Sequence, residues 1–207
     1  MITSSDITPF FFIRHGPVKK KDGHLPPHDA PLAEGPFNLD AVIASLPKHA
    51  AWQISPLRRA KQTADLMRDQ LSPVSQITEP ALVEQNFGAW HNQPIARLWL
   101  QIEKGPKHNW SFITHDICPP RGESFVTQMA RVKSWCELQE QKQNGHAQII
   151  FTHAGTIRAA VAHMLGLSPE KAKSIEIPHF GCLHASLMRG SKARQNHGGA
   201  WQIHKLG

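Results

Sequence analysis

The sequence has few cysteines, no long apolar run and no dense tract of basic residues, and each lack removes a class of protein. Its three cysteines, Cys118, Cys136 and Cys182, are odd in number and show no Cys-x-x-Cys spacing. Neither a disulfide framework nor a zinc site is supported, and free thiols in a reducing compartment are expected. No apolar stretch approaches the ~18 residues that span a bilayer. Residues 1–9 are polar and lack a basic segment leading into an apolar one, so a signal peptide is not expected and a cytoplasmic location is. No internal repeat or low-complexity tract is visible. The one basic run is Lys19, Lys20 and Lys21, without interleaved aromatics, which argues against nucleic acid as the partner.

What is present is a globular composition. Of 207 residues, 40% are hydrophobic and 19% charged, enough for one domain with a modest insertion. The formal charge is +7 with 14 histidines besides, which suits an anionic ligand. With nucleic acid set aside, a small phosphorylated metabolite is the expected partner. The sequence leaves the oligomeric state open.

The chain is organised around Pro9 to Gly16. The run Phe10-Phe11-Phe12-Ile13 reads as a strand buried on both faces, inside a parallel sheet. Arg14, His15 and Gly16 follow at once, where open α/β sheets place their ligands. A cation, a nucleophile-capable imidazole and a permissive glycine meet there.

The loop 17–35 should run over the surface beside that turn. A short helix is expected over 38–46 and a second strand over 50–54. Ser55 then reads as an N-cap, with Pro56 at the first helical position and apolar spacing through Leu71. This puts Arg59 in the first turn of a helix whose free N–H groups favour phosphate. Residues 74–79 suggest a short extended piece. From 89 to 121 the chain is irregular, with one helical stretch near 95–103 and the tryptophans Trp90, Trp99 and Trp110. Lid and plain core are both open readings for it. Gly122-Glu123-Ser124 opens a long helix that Asn144-Gly145 should stop. Gln148 to Thr152 is a third strand ending at His153, and a helix follows to Leu165. Later strands are expected over 182–188 and 200–204, as an antiparallel excursion at a sheet edge.

Three strand–turn–helix junctions, after residues 13, 54 and 152, thus deliver Arg14, His15, Arg59 and His153 to one crevice. Two guanidiniums, two imidazoles and helix N-termini make a site for a phosphoryl group. An imidazole can attack phosphorus, and a carboxylic acid must protonate the departing alkoxide. Glu84 is the first choice for that acid and Glu123 the rival. His24, His28, His179 and His184 lack triad or metal spacing and read as surface or core residues. Arg58 should point away from Arg59, and Arg158 should brace the sheet.

The motifs Arg14-His15-Gly16, Ser55 to Ala60, Leu82 to Gly88, Gly122-Glu123-Ser124 and Thr152 to Arg158 resemble, in order, those of the histidine phosphatase (phosphoglycerate mutase-like) superfamily. The resemblance covers residues 9–166. It implies an α/β fold: a three-layer α/β/α sandwich with a mostly parallel central sheet and a small cap insertion at about 89–121, in a single domain over 1–207. It also implies catalytic His15, Glu84 and His153, with His15 phosphorylated, a phosphate pocket of Arg14, Arg59 and His153, and no metal or cofactor. Glu123 stays as a secondary acid. After the first motif, mutases of the family carry a Ser/Thr- and Asn-bearing stretch; here it reads Pro17-Val18-Lys19-Lys20-Lys21. The proline is similar to that of α-ribazole-phosphatase-like members, and the cap argues against the capless phosphatases that act on proteins. The expected function is a metal-independent phosphomonoesterase working through a phosphohistidine. The alternatives are a mutase-type phosphotransferase and a non-catalytic phosphate-binding protein.

Overall fold

The structure, a computed structural model, describes residues 6–142, 146–189 and 198–207. Its centre is β1 (Ile7–Arg14), whose side chains alternate between two cores as a pleated strand requires. Phe10 and Phe12 join one apolar cluster, and Phe11 and Ile13 the other. The Phe run is therefore continuous because both faces of the strand are covered.

The sheet order is β3-β2-β4-β1-β5-β6. Strands β2 (Ala51–Ile54), β3 (Ser75–Thr78) and β4 (Gln148–Thr152) run parallel to β1. Strands β5 (Cys182–Met188) and β6 (Trp201–Leu206) are antiparallel. The sheet is thus mostly parallel, and its central strand sits at the boundary between the two kinds of pairing rather than within a parallel set. The antiparallel excursion starts beside β1 and reaches the edge only at β6.

Helices cover both faces. On one side α1 (Asp40–Ala44) and α2 (Arg58–Leu71) pack Ile43, Ala60, Ala64, Met67 and Leu71 against Phe11, Trp52 and Phe151. On the other, α4 (Phe125–Gln141) and α5 (Ala154–Leu165) pack Val132, Trp135, Ile157 and Val161 against Phe10, Phe12 and Ile150. This is the α/β/α sandwich. The short α6 (Pro169–Lys173) lies beside α5. Between β3 and α4 the chain forms α3 (Ile95–Ile102), with a satellite cluster of Trp90, Leu98 and Ile113. Trp99 and Trp110 stay 42% and 76% exposed, so only Trp90 of the three tryptophans is core.

The loop expected over 17–35 does separate the first turn from α1. One local expectation fails for a physical reason: Ser55 is not the cap of α2, which starts at Arg58 after an extended Leu57. Asp29 of that loop reaches in instead: its Oδ1 accepts the Arg58 backbone N–H at 2.7 Å and its Oδ2 pairs with the Arg58 side chain at 3.0 Å. A partner distant in sequence satisfies the helix start, and the Ser55 hydroxyl is free for other use. Ser124 does cap α4, accepting from the Thr127 N–H at 3.1 Å. The helix stop expected at Asn144-Gly145 and most of the 189–199 connection lie outside the described residues.

Candidate active site

The carboxyl ends of β1, β2 and β4 meet at three side chains. His15 is 6% exposed, Arg59 6% and His153 0%. The Arg59 Nε–H faces His15 Nε2 at 3.2 Å and His153 Nδ1 at 3.2 Å. One guanidinium thus reaches both imidazoles, and the remaining ring nitrogens fix both tautomers. His15 Nδ1 lies 2.6 Å from the carbonyl of Gly16 and must donate to it. That leaves the lone pair on Nε2, where it accepts from the Arg59 Nε–H. His153 Nδ1 accepts from Arg59, so its Nε2–H donates to Ser55 Oγ, 2.8 Å away and fully buried.

Electrostatics keep both rings neutral. Burial, and then the Arg59 charge, pushes His15 down to about 3. The same two causes, followed by the neighbouring charges of His15 and Arg14, hold His153 well below the usual histidine range. A neutral imidazole keeps a lone pair that a protonated one lacks.

The turn is held rigidly. The Gly16 N–H donates to Thr63 Oγ1 at 3.1 Å, and that hydroxyl donates to the Arg59 carbonyl at 2.7 Å. A Cβ at Gly16 would run into the Phe180 ring, which excludes any larger residue. Arg59 Nη1 donates to the His28 carbonyl at 2.7 Å, so the loop 17–35 does border the site. Arg14 donates to the Ile177 carbonyl and approaches His179 Nε2 at 3.3 Å.

His179 is a residue sequence reasoning missed. Its Nδ1 donates to the His15 carbonyl at 3.0 Å, and its ring lies 5.5 Å from that of His15. A signal existed: a strand antiparallel to β1 begins where β1 ends, so the loop before β5 opens onto the same crevice.

Glu84 arrives on a segment stitched to β4 and α5. The Leu82 carbonyl accepts from Thr152 Oγ1 at 2.8 Å, and the Val83 carbonyl from Thr156 Oγ1 at 3.0 Å. Its Oε2 accepts the Gly155 N–H at 3.2 Å, in the first turn of α5. Its Oε1 accepts from Gln128 Nε2 at 3.0 Å and the Gln85 N–H at 3.0 Å. A side chain at position 155 would strike Glu84 Oε1 and Gln128, so the glycine makes room for the carboxylate. Glu84 acts electrostatically on both Arg14 and Arg59, raising their proton affinity against burial.

Glu123 is differently placed. Its Oε1 takes Arg131 Nη2 at 2.8 Å and the Asn86 N–H at 3.1 Å, and this pair braces the 84–88 segment against α4. Arg58 turns outward to Asp29 as expected. Arg158 donates through Nε to the Ile175 carbonyl at 2.7 Å. No group of three or more His, Cys, Asp or Glu able to hold a metal occurs among the described residues, and no helix there is long and apolar enough to cross a membrane.

Comparison with solved structures agrees with this architecture. A mycobacterial glucosyl-3-phosphoglycerate phosphatase superposes with a TM-score of 0.73 at 18% identity, over 95% of this chain and 97% of the other. A putative alpha-ribazole-5'-P phosphatase from Escherichia coli gives 0.73 at 19% identity, over 96% of each chain. Among curated proteins, a 2,3-bisphosphoglycerate-dependent phosphoglycerate mutase of Methylobacterium sp. (strain 4-46) is 30% identical over 129 residues, 59% of this chain and 61% of that protein. Its counterpart from Beijerinckia indica is 33% identical over the same shares. The chain thus spans about three fifths of the curated relatives it matches. The sequence pattern described as "Histidine phosphatase superfamily (branch 1)" matches residues 10–196. With that match over most of its length, the chain belongs to the histidine phosphatase superfamily.

Proposed function

We propose that the protein is a metal-independent phosphatase that hydrolyses a small phosphomonoester through a phosphohistidine on His15. The observation that carries this reading is the 2.6 Å contact from His15 Nδ1 to the Gly16 carbonyl, which leaves Nε2 as the lone pair facing Arg59 and His153. In the first step Nε2 forms a bond to phosphorus while the P–O bond to the alcohol breaks. Arg14 and Arg59 surround the phosphoryl oxygens, supplying the fixed positive field that phosphoryl transfer needs, and the neutral His153 ring lines the pocket and orients Arg59. Glu84 gives its proton to the departing alkoxide. A water then attacks phosphorus, Glu84 takes its proton, and the N–P bond breaks to release phosphate and restore the neutral imidazole. Glu123, engaged with Arg131, is assigned to bracing the Glu84 segment.

The test is phosphate release from an aryl and an alkyl monoester. His15→Ala should abolish both in a folded protein; normal turnover would overturn the mechanism. Glu84→Gln should slow the alkyl ester by roughly 10²–10⁴-fold, far more than the aryl ester with its better leaving group. Glu123→Gln should treat the two alike. The mutase names of the curated relatives support one rival, a phosphotransferase using the same residues. It would show as an isomerised ester without free phosphate.

A further inference from the structure

Beside the histidine cluster lies a cavity of about 150 Å³ that the steps above do not use. Glu84 and Gly155 form the wall it shares with the cluster. The rest of its lining includes Phe87, Phe112, Ile113, Phe125, Arg158 and Lys173. Lys173 is 7% exposed, with its ammonium 4.9 Å from the centre of the Phe125 ring. Among the described residues it has neither a hydrogen-bond acceptor nor an ion-pair partner. Arg158 spends its Nε on the Ile175 carbonyl, and its two terminal amino groups find no acceptor among the described residues. The one carboxylate in the lining, Glu84, already accepts from Gly155, Gln128 and Gln85.

Two cations therefore face a small cavity; Glu84 acts on both through its charge, and Glu176 on Arg158, but neither accepts a hydrogen bond from them. Drawing an ammonium out of bulk water without an acceptor is costly, and a ligand that supplies one would complete the site. Burial and the Arg158 charge lower Lys173 to about 8, which leaves it a cation at neutral pH. The two neutral polar side chains of the lining, Gln85 and Ser111, already donate to the Glu123 and Ile113 carbonyls, and the aromatic and aliphatic walls that remain offer few partners to the hydroxyls of a sugar but cover an apolar body well. A cavity of roughly this volume holds a benzene-sized group. Because Glu84 is the proton donor and lines this cavity, the departing alcohol must lie on its side of the cluster.

Resting on the phosphatase reading above, we propose that this cavity receives the alcohol part of the substrate, and that the substrate is a phosphomonoester of a small, apolar-bodied alcohol bearing a second anionic group held by Arg158 and Lys173. The second anion is a carboxylate or another phosphate, and the walls select against phosphorylated sugars.

The test compares 4-carboxyphenyl phosphate, phenyl phosphate and glucose 6-phosphate as substrates. The wild-type protein should favour the carboxylated ester over phenyl phosphate in kcat/KM by about tenfold or more, the usual worth of one charge-assisted hydrogen bond. Glucose 6-phosphate should be the poorest of the three. In Lys173→Met the ratio of carboxylated to neutral ester should fall by about the same factor, and Lys173→Arg should restore it. Both esters are read on one preparation, so a loss of folded protein cancels from the ratio. Phenyl 1,4-bisphosphate in place of the carboxylated ester distinguishes the two sources of the second anion. Equal rates for carboxylated and neutral esters, or a ratio unmoved in Lys173→Met, would overturn the subsite. If no ester is hydrolysed the phosphatase reading fails instead. Calorimetric binding of 4-carboxybenzylphosphonate against benzylphosphonate then still decides, equal affinities refuting the subsite.

Discussion

Replacing Ser55 with alanine should cost both stability and catalysis, although Ser55 is placed to touch no substrate. Its Oγ is the acceptor for the His153 Nε2–H at 2.8 Å, and both residues are fully buried. Removing the hydroxyl leaves an N–H without an acceptor where water does not reach. Such an orphaned buried donor costs about 1–3 kcal/mol. For a domain of this size each kcal/mol moves the midpoint by about 2–4 °C, so Ser55→Ala should melt roughly 2–12 °C lower. The catalytic effect comes from the tautomer. Without Ser55 the proton is no longer held on Nε2, and a proton on Nδ1 would point at the Arg59 Nε–H, 3.2 Å away, setting donor against donor. At about 1.4 kcal/mol per factor of ten, the same 1–3 kcal/mol is roughly a 5- to 150-fold loss in kcat/KM. Scanning calorimetry reads the first effect, phosphate release the second, and imidazole ¹⁵N shifts report the His153 tautomer. An unchanged midpoint together with an unchanged ¹⁵N spectrum would refute the assignment.

Acid should destabilise the fold. Burial lowers His15 to about 3 and holds His153 well below its ordinary value, so the unfolded chain takes up protons near pH 6.5 that the native state refuses. Stability is therefore whole above 6.5 and falls as the pH drops below it, by about 2 kcal/mol at pH 5 for each histidine that stays neutral; a denaturant midpoint equal at pH 7 and pH 5 would contradict this. Gly155→Ala should push a methyl group into Glu84 and Gln128 and lower turnover of an alkyl phosphate on the order of 10²-fold, the scale of a 1 Å misplacement; steady-state rates equal to wild type would show that the carboxylate position does not matter. EDTA should leave the rate unchanged, because in the proposed mechanism the guanidiniums of Arg14 and Arg59 supply the charge that a divalent cation would; a loss restored by added Mg²⁺ would refute that account.

The parts of the fold legible in the sequence were those where local pattern and tertiary burial agree. The Phe10–Ile13 run, the Gln148–Thr152 strand and the apolar spacing of 57–71 each state their own environment. The convergence of His15, Arg59 and His153 was legible as well, because strand ends in such sheets share one edge. Ser55 misled because a serine before a proline reads locally as a cap. The residue that satisfies the helix start, Asp29, lies in a loop whose path no local rule gives. His179 was passed over for want of triad spacing, though its position before an antiparallel strand is what brings it beside His15. The difference between Glu84 and Glu123 rests on Arg131, a helix residue whose reach is set only by packing.

The placement of His15 at the end of β1 has a consequence for how the protein comes apart. β1 is zipped to β4 along Phe10–Arg14 and to β5 along Ile7–Ile13, with a separate core on each of its faces. Its amides are expected to exchange only on near-global opening, which would tie the geometry of His15 to the stability of the whole molecule. The 89–121 segment packs instead on a separate small cluster around Trp90, Leu98 and Ile113, apart from the two cores that flank that strand. Sequence change in the segment can thus be absorbed by that small cluster, while His15 stays tied to the strand that both cores enclose.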